Sequence, residues 1–73
     1  MSKVKYVVEG CRQDGSWAGG GEFETRAQAL ACAKEMRSWT DVWDTTVERW
    51  ENGEPIRYIE WYSFRINKGW ERR

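Results

Sequence analysis

The dipeptide Asn52-Gly53 restricts the fold of this chain more than any other feature. It lies between two segments in which apolar and polar residues alternate, and Asn-Gly in that position is typical of a two-residue turn between antiparallel strands. A turn of this length fixes the register of the pairing, so we expect Glu51 to face Glu54 and Glu48 to face Arg57. The second half of the chain is therefore predicted to form a hairpin.

The first half of the chain carries the same kind of pattern. Residues 3–9 alternate between apolar and polar side chains, which predicts a half-buried strand. Gln13-Asp14-Gly15 supplies a tight turn, and the segment from Trp17 to Glu24 predicts a returning strand that Gly19-Gly20-Gly21 interrupts. A looser hairpin is therefore expected before the middle of the chain.

Thr25-Arg26-Ala27-Gln28 has the pattern of a capping box, in which the threonine oxygen accepts a hydrogen bond from the backbone of the first helical turn. Behind it, Ala29, Cys32, Ala33 and Met36 recur on one stripe of a helix. These side chains are small for a core stripe. The helix is therefore expected to approach the sheet closely, and the strands must supply most of the bulk of the core.

The order of these elements is β-β-α-β-β. It predicts one α+β domain over residues 1–73, in which a four-stranded antiparallel sheet has a single helix packed on one face. Residues 68–73 follow the last predicted strand and are expected to fray as a basic tail.

The composition argues against catalysis. The chain has no histidine and only two cysteines, Cys11 and Cys32, so the commonest general base is missing and a zinc site lacks its usual ligands. Gly19-Gly20-Gly21 lacks the Gly-Lys-Ser/Thr ending of a phosphate-binding loop. We therefore predict a protein that is not an enzyme and that uses no metal or other cofactor.

The sequence also predicts a cytoplasmic protein without membrane contacts. No apolar run approaches the about 20 residues that a membrane-spanning helix needs. The first residues, Met1 to Val8, alternate Lys with Val and Tyr, which differs from the pattern of a secretory signal.

The aromatic content points to binding. Six tryptophans in 73 residues exceed what so small a core can hold, so some are expected on the surface, where aromatic side chains dominate binding hot spots. Simple alternation puts Ile56, Tyr58, Tyr62 and Phe64 on one side of the last strand, and Ile59 and Trp61 on the other. The predicted partner-binding residues are the anchors Trp43, Trp50, Tyr58, Trp61 and Tyr62, with Asp41, Asp44 and Glu48 complementing a basic partner surface.

Three alternatives to this interpretation stay open. The aromatic residues could be covered by a second copy of the chain in a homodimer, or they could stack the bases of a single-stranded nucleic acid. Zero net charge and the acidic residues between 41 and 54 count against nucleic acid. The third alternative is a contact through the basic tail, with Arg65, Lys68, Trp70, Arg72 and Arg73.

The segment Phe23-Glu24-Thr25-Arg26-Ala27-Gln28-Ala29-Leu30, with Ala33 one turn later and a valine-containing strand after it, resembles small phage-encoded inhibitors of host machinery. The similarity is to the layout of the podophage inhibitor of bacterial RNA polymerase, and it transfers no binding residue to this chain. It implies a phage or mobile-element protein that acts in the host cytoplasm. Such a protein would bind a larger bacterial protein or complex and inhibit it.

Overall fold

Residues 3–73 are described by a computed structural model, in which they form five antiparallel strands and one helix. The strands lie in a single sheet in the order β2-β1-β3-β4-β5. The predicted order β-β-α-β-β is confirmed, and a fifth strand follows it. The elements are β1 (Val4–Cys11), β2 (Trp17–Phe23), α1 (Arg26–Met36), β3 (Asp44–Glu51), β4 (Glu54–Arg65) and β5 (Gly69–Arg72).

Helix α1 begins where the capping pattern predicts. Thr25 is extended, and its side-chain oxygen accepts a hydrogen bond from the backbone N–H of Gln28 at 3.2 Å, which satisfies one of the free donors of the first turn. The fully buried residues of the helix are Ala29, Ala33 and Met36. All three belong to the predicted stripe.

The core is small and lies between α1 and the middle of the sheet. Ala29, Ala33 and Met36 cluster with Val8 of β1 and Val47 of β3, which are directly paired. Five further side chains pack against this cluster and are only partly buried, namely Tyr6, Phe23, Leu30, Cys32 and Ile59. Helix and sheet both contribute to the core, and its largest fully buried side chain is Met36 of α1.

Residues on paired strands that face each other share one face of the sheet, so Val8 and Val47 define the side that faces the helix. We call this the helix-side face, and the opposite side the open face. The single helix of residues 3–73 lies on the helix-side face, because its buried residues cluster with both valines. The open face is therefore the side that α1 leaves uncovered.

The register of the β3–β4 hairpin agrees with the prediction only near the turn. Glu51 is opposite Glu54, as expected, but Arg57 is opposite Arg49 and not Glu48. The register shifts twice, between Trp50 and Arg49 and again between Glu48 and Val47. Each shift inserts an extra residue into β4 as a bulge.

The two bulges also change which side chains share a face. The extra residues are Ile56 and Ile59, and Ile59 packs against the core cluster. Simple alternation along β4 was therefore wrong. Tyr58 lies on the open face together with Trp61, whereas Tyr62 and Phe64 lie on the helix-side face.

The basic tail differs from the prediction as well. Residues 69–72, expected to fray, form β5 and pair with the end of β4. Trp70 explains why this short strand is held in place. Its ring packs against Phe64 at 5.6 Å between centroids, and its indole N–H donates to the backbone oxygen of Arg37 at 2.9 Å.

Candidate partner-binding site

The open face brings together five of the eight residues that the sequence predicted for partner binding. Trp50, Asp44 and Glu48 lie on β3, and Tyr58 and Trp61 lie on β4. The pairing puts Glu48 directly opposite Tyr58. These five residues form one continuous surface on two neighbouring strands.

An aromatic cluster occupies the centre of this surface. The rings of Tyr58 and Trp61 lie 5.1 Å apart at their centroids, with a tilt of 32° between their planes. Tyr58 is 54% exposed, whereas Trp50 and Trp61 are half-buried. Aromatic side chains that are exposed and rigidly held lose little conformational entropy when a partner covers them.

Asp44 holds Trp61 in its orientation. One carboxylate oxygen of Asp44 accepts a hydrogen bond from the Trp61 indole N–H at 2.7 Å, and the other accepts one from the Ser63 hydroxyl at 3.3 Å. Both oxygens are therefore engaged inside the protein. Asp44 therefore positions the aromatic cluster.

Glu48 is different, because its charge is not neutralised within the described residues. Between residues 3 and 73 neither Glu48 nor its neighbour Glu9 forms an ion pair. Glu9 and Glu48 lie diagonally on the same face of β1 and β3. Partial burial raises the pKa of the Glu48 carboxyl, and the nearby charge of Glu9 raises it further. A cation that approached this spot would therefore relieve an unfavourable interaction.

Cations of the chain itself already lie over two of the aromatic rings of the open face. The Lys5 ammonium group is 5.1 Å from the centre of the Trp50 ring, and the Arg73 guanidinium group is 5.2 Å from that of Trp61. Arg73 also donates a hydrogen bond to Ser63 at 3.0 Å. The surface therefore combines aromatic rings, unpaired carboxylates and cations at its edge.

The other three predicted residues lie elsewhere. Tyr62 is on the helix-side face, where the Arg37 guanidinium lies over its ring at 4.3 Å. Trp43 packs edge-on against Phe64, with ring centroids 5.1 Å apart. Asp41, in the connection between α1 and β3, forms an ion pair with Arg12 at 3.0 Å. These three residues therefore lie outside the open face.

The structure also exposes large apolar side chains that the sequence analysis did not select. Trp17 is 63% exposed at the start of β2, Trp39 is 43% exposed after α1, and Ile66 is 74% exposed in the β4–β5 turn. Trp39 lies against Gly19 on the helix side of β2. Trp39 follows the apolar stripe of α1 in the sequence, and that position was a signal that it lies near the helix. The sequence around each tryptophan does not distinguish the exposed tryptophans from the half-buried ones.

Neither cysteine is activated as a nucleophile. Burial raises the pKa of both thiols, with nearby carboxylates adding to the effect, so Cys11 and Cys32 are protonated at neutral pH and are poor nucleophiles. Between residues 3 and 73, no group of three or more Cys, Asp or Glu side chains is arranged to hold a metal ion. Within the same residues, α1 is too short and too polar to cross a membrane.

No protein-family model, curated protein or solved structure matches this chain.

Proposed function

We propose that this chain is a non-catalytic protein-binding module whose open face docks onto a larger protein. The observation that carries the proposal is that Trp50, Tyr58 and Trp61 share the side of the sheet opposite α1, with the rings of Tyr58 and Trp61 in contact. Tyrosine and tryptophan are enriched among the residues that contribute most to binding free energy. Tyr58 is the most exposed of the three, so it has the most surface to lose on binding.

Charge supports a partner with a basic surface. Glu9 and Glu48 lie on the open face with the aromatic cluster, and neither forms an ion pair with another side chain of residues 3–73. A lysine or arginine of a partner would neutralise them, which favours association and sets its orientation. A partner with an acidic surface would be repelled at the same position.

The proposal extends to inhibition of a bacterial protein or complex by a phage or mobile-element protein in the host cytoplasm. Its support is the resemblance of residues 23–33 in layout to small phage-encoded inhibitors. A module of this size inhibits by occupying a surface that the target needs for another contact. No catalytic group is required for that mechanism.

Single-stranded nucleic acid is the second candidate ligand. The cations over Trp50 and Trp61 favour it, because phosphates could contact Lys5 and Arg73 while bases stack on the rings. The unpaired carboxylates of Glu9 and Glu48 on the same face oppose it, since phosphate neutralisation supplies most of the affinity in such complexes.

A comparative pull-down tests the proposal. Tagged wild-type protein, Tyr58→Ala and the control Ile66→Ala are each incubated with bacterial lysate, with and without nuclease, and the retained proteins are quantified by mass spectrometry. Tyr58 and Ile66 are both well exposed, so neither substitution disturbs the core. We expect a stoichiometric partner that survives nuclease and binds Tyr58→Ala about tenfold more weakly, as loss of a hot-spot side chain predicts.

Three results would contradict the proposal. Equal retention by Tyr58→Ala and wild type would remove the open face from the interface. Retention that disappears with nuclease would favour nucleic acid. Self-association without another partner, measured by light scattering of the purified protein, would favour a homodimer.

A further inference from the structure

The helix-side face contains a complete binding arrangement for an arginine side chain. The Arg37 guanidinium lies 4.3 Å from the centre of the Tyr62 ring, and one of its nitrogens is 3.4 Å from a carboxylate oxygen of Glu60. Tyr62 and Glu60 lie two residues apart on β4, so both point to the same face. A tyrosine ring and a carboxylate on one face of the sheet therefore contact the same guanidinium group.

The open face contains the same pair of groups without a cation. Glu48 and Tyr58 are directly opposite each other on β3 and β4, which brings ring and carboxylate within reach of one guanidinium group. Within residues 3–73 no Lys or Arg side chain lies over the Tyr58 ring, and none forms an ion pair with Glu48. Glu9 adds a second unpaired carboxylate beside them.

We propose that Glu48 and Tyr58 form a subsite for an arginine side chain of the partner protein. The inference rests on the function proposed above and names the group that the open face recognises. The guanidinium stacks on the Tyr58 ring and donates hydrogen bonds to the carboxylate of Glu48, and the charge of Glu9 adds to the attraction.

Arginine fits this subsite better than lysine does. A guanidinium group is planar, so it can lie flat on an aromatic ring while its edge donates to a carboxylate, and it loses less hydration than an ammonium group. The neighbouring ring of Trp61 is already covered by Arg73. An incoming arginine is thereby directed to Tyr58, whose ring lies next to that of Trp61.

A titration followed by nuclear magnetic resonance tests the subsite. The probes are the blocked peptide Gly-Arg-Gly-Arg-Gly and its counterpart with both arginines replaced by lysine, added to isotope-labelled wild type, Glu48→Gln and the control Glu35→Gln. Glu35 is an exposed carboxylate on α1, so both variants lose one negative charge. Thermal unfolding of each variant shows that it is folded.

We expect saturable shifts of the Glu48 and Tyr58 amide signals, with a dissociation constant in the millimolar range for the arginine peptide. The lysine peptide should bind several-fold more weakly, and Glu48→Gln should weaken arginine binding about threefold to fivefold, as for a partly exposed ion pair. Glu35→Gln should bind as wild type does.

Equal effects of Glu48→Gln and Glu35→Gln would overturn the inference, because binding would then follow net charge alone. Absence of saturable shifts at Glu48 and Tyr58 would also overturn it. The proposed function has a separate criterion. A partner from lysate that is lost with Tyr58→Ala but retained in full by Glu48→Gln would uphold the open face as an interface and refute the arginine subsite.

Discussion

Replacing Gly20 with alanine should be among the most damaging single-methyl changes in this protein. Gly20 lies in β2 opposite Glu9 of β1 and has a φ of +144°, which L side chains rarely adopt. A Cβ atom there would overlap the backbone oxygen of Val8 and would lie 2.8 Å from its carbonyl carbon. These are backbone atoms of the paired strand, so the methyl group fits only if β1 and β2 move apart.

The expected loss follows from two contributions. A residue with a side chain in a disfavoured backbone region costs about 1–3 kcal/mol. Overpacking against a rigid neighbour costs about another 1–3 kcal/mol. The two contributions sum to about 2–6 kcal/mol, and the midpoint of about 4 kcal/mol is a large part of the roughly 4–11 kcal/mol expected for a domain of this length. The midpoint corresponds to a fall in melting temperature of roughly 16–32 °C.

Two neighbouring glycines serve as controls. Gly21 has no positive φ, and a Cβ there would make ordinary contacts of 3.8 and 3.9 Å with the Phe23 ring, so Gly21→Ala should change stability by less than about 1 kcal/mol. Gly15 has a φ of +87° but open space around it, so Gly15→Ala should show only the backbone cost of about 1 kcal/mol. Urea unfolding followed by tryptophan fluorescence measures all three. If Gly20→Ala were no less stable than Gly15→Ala, the close approach of β1 and β2 at Gly20 would be wrong.

Two further predictions concern β5 and the open face. Trp70→Ala removes the contact with Phe64 and the hydrogen bond to Arg37. It should lower the free energy of unfolding by about 2 kcal/mol and speed amide hydrogen exchange in β5. Ile66 is exposed, so the control Ile66→Ala should lower the free energy of unfolding by less than about 0.5 kcal/mol. The pKa of Glu48 is raised in the folded state, so wild type loses stability as pH rises through that pKa. Glu48→Gln should therefore be the more stable protein at neutral pH, with the difference shrinking on acidification; an equal difference at every pH would contradict this.

The features that the sequence predicted best depend on residues close together along the chain. Asn52 and Gly53 both have positive φ, as a two-residue hairpin turn requires, and the pairs next to the turn have the predicted register. Thr25 caps α1 because the donor it binds lies only three residues away. Because both features depend on residues only a few positions apart, they can be predicted from the amino-acid sequence alone.

The bulges in β4 could not be predicted in the same way. An extra residue in a strand has no local sequence pattern, and its position is decided by what packs across the sheet, here Ile59 against the core cluster. Each bulge reverses the alternation of side chains that follows it. The bulge at Ile59 lies between Tyr58 and Trp61, so these two residues share a face, whereas simple alternation puts them on opposite faces. The grouping of these two residues on one face became visible only in the folded chain.

Strand β5 was missed for a related reason. It has only four residues, and its charged residues suggested a solvated end. Gly69, with a φ of +75°, offered a turn signal, but Trp70 holds the strand through contacts with residues 33 and 6 positions away in the sequence, Arg37 and Phe64. Long-range contacts of this kind are decided by tertiary packing.

Hydroxyl-radical footprinting of the protein, free and bound to the partner captured from nuclease-treated lysate, tests the central claim most directly. Tyr58 and Trp39 are both exposed aromatic residues, but Tyr58 lies on the open face and Trp39 lies on the helix side of β2. Binding through the open face predicts that oxidation of Tyr58 falls in the complex while that of Trp39 stays unchanged. Protection of Trp39 with Tyr58 still fully reactive would contradict the account.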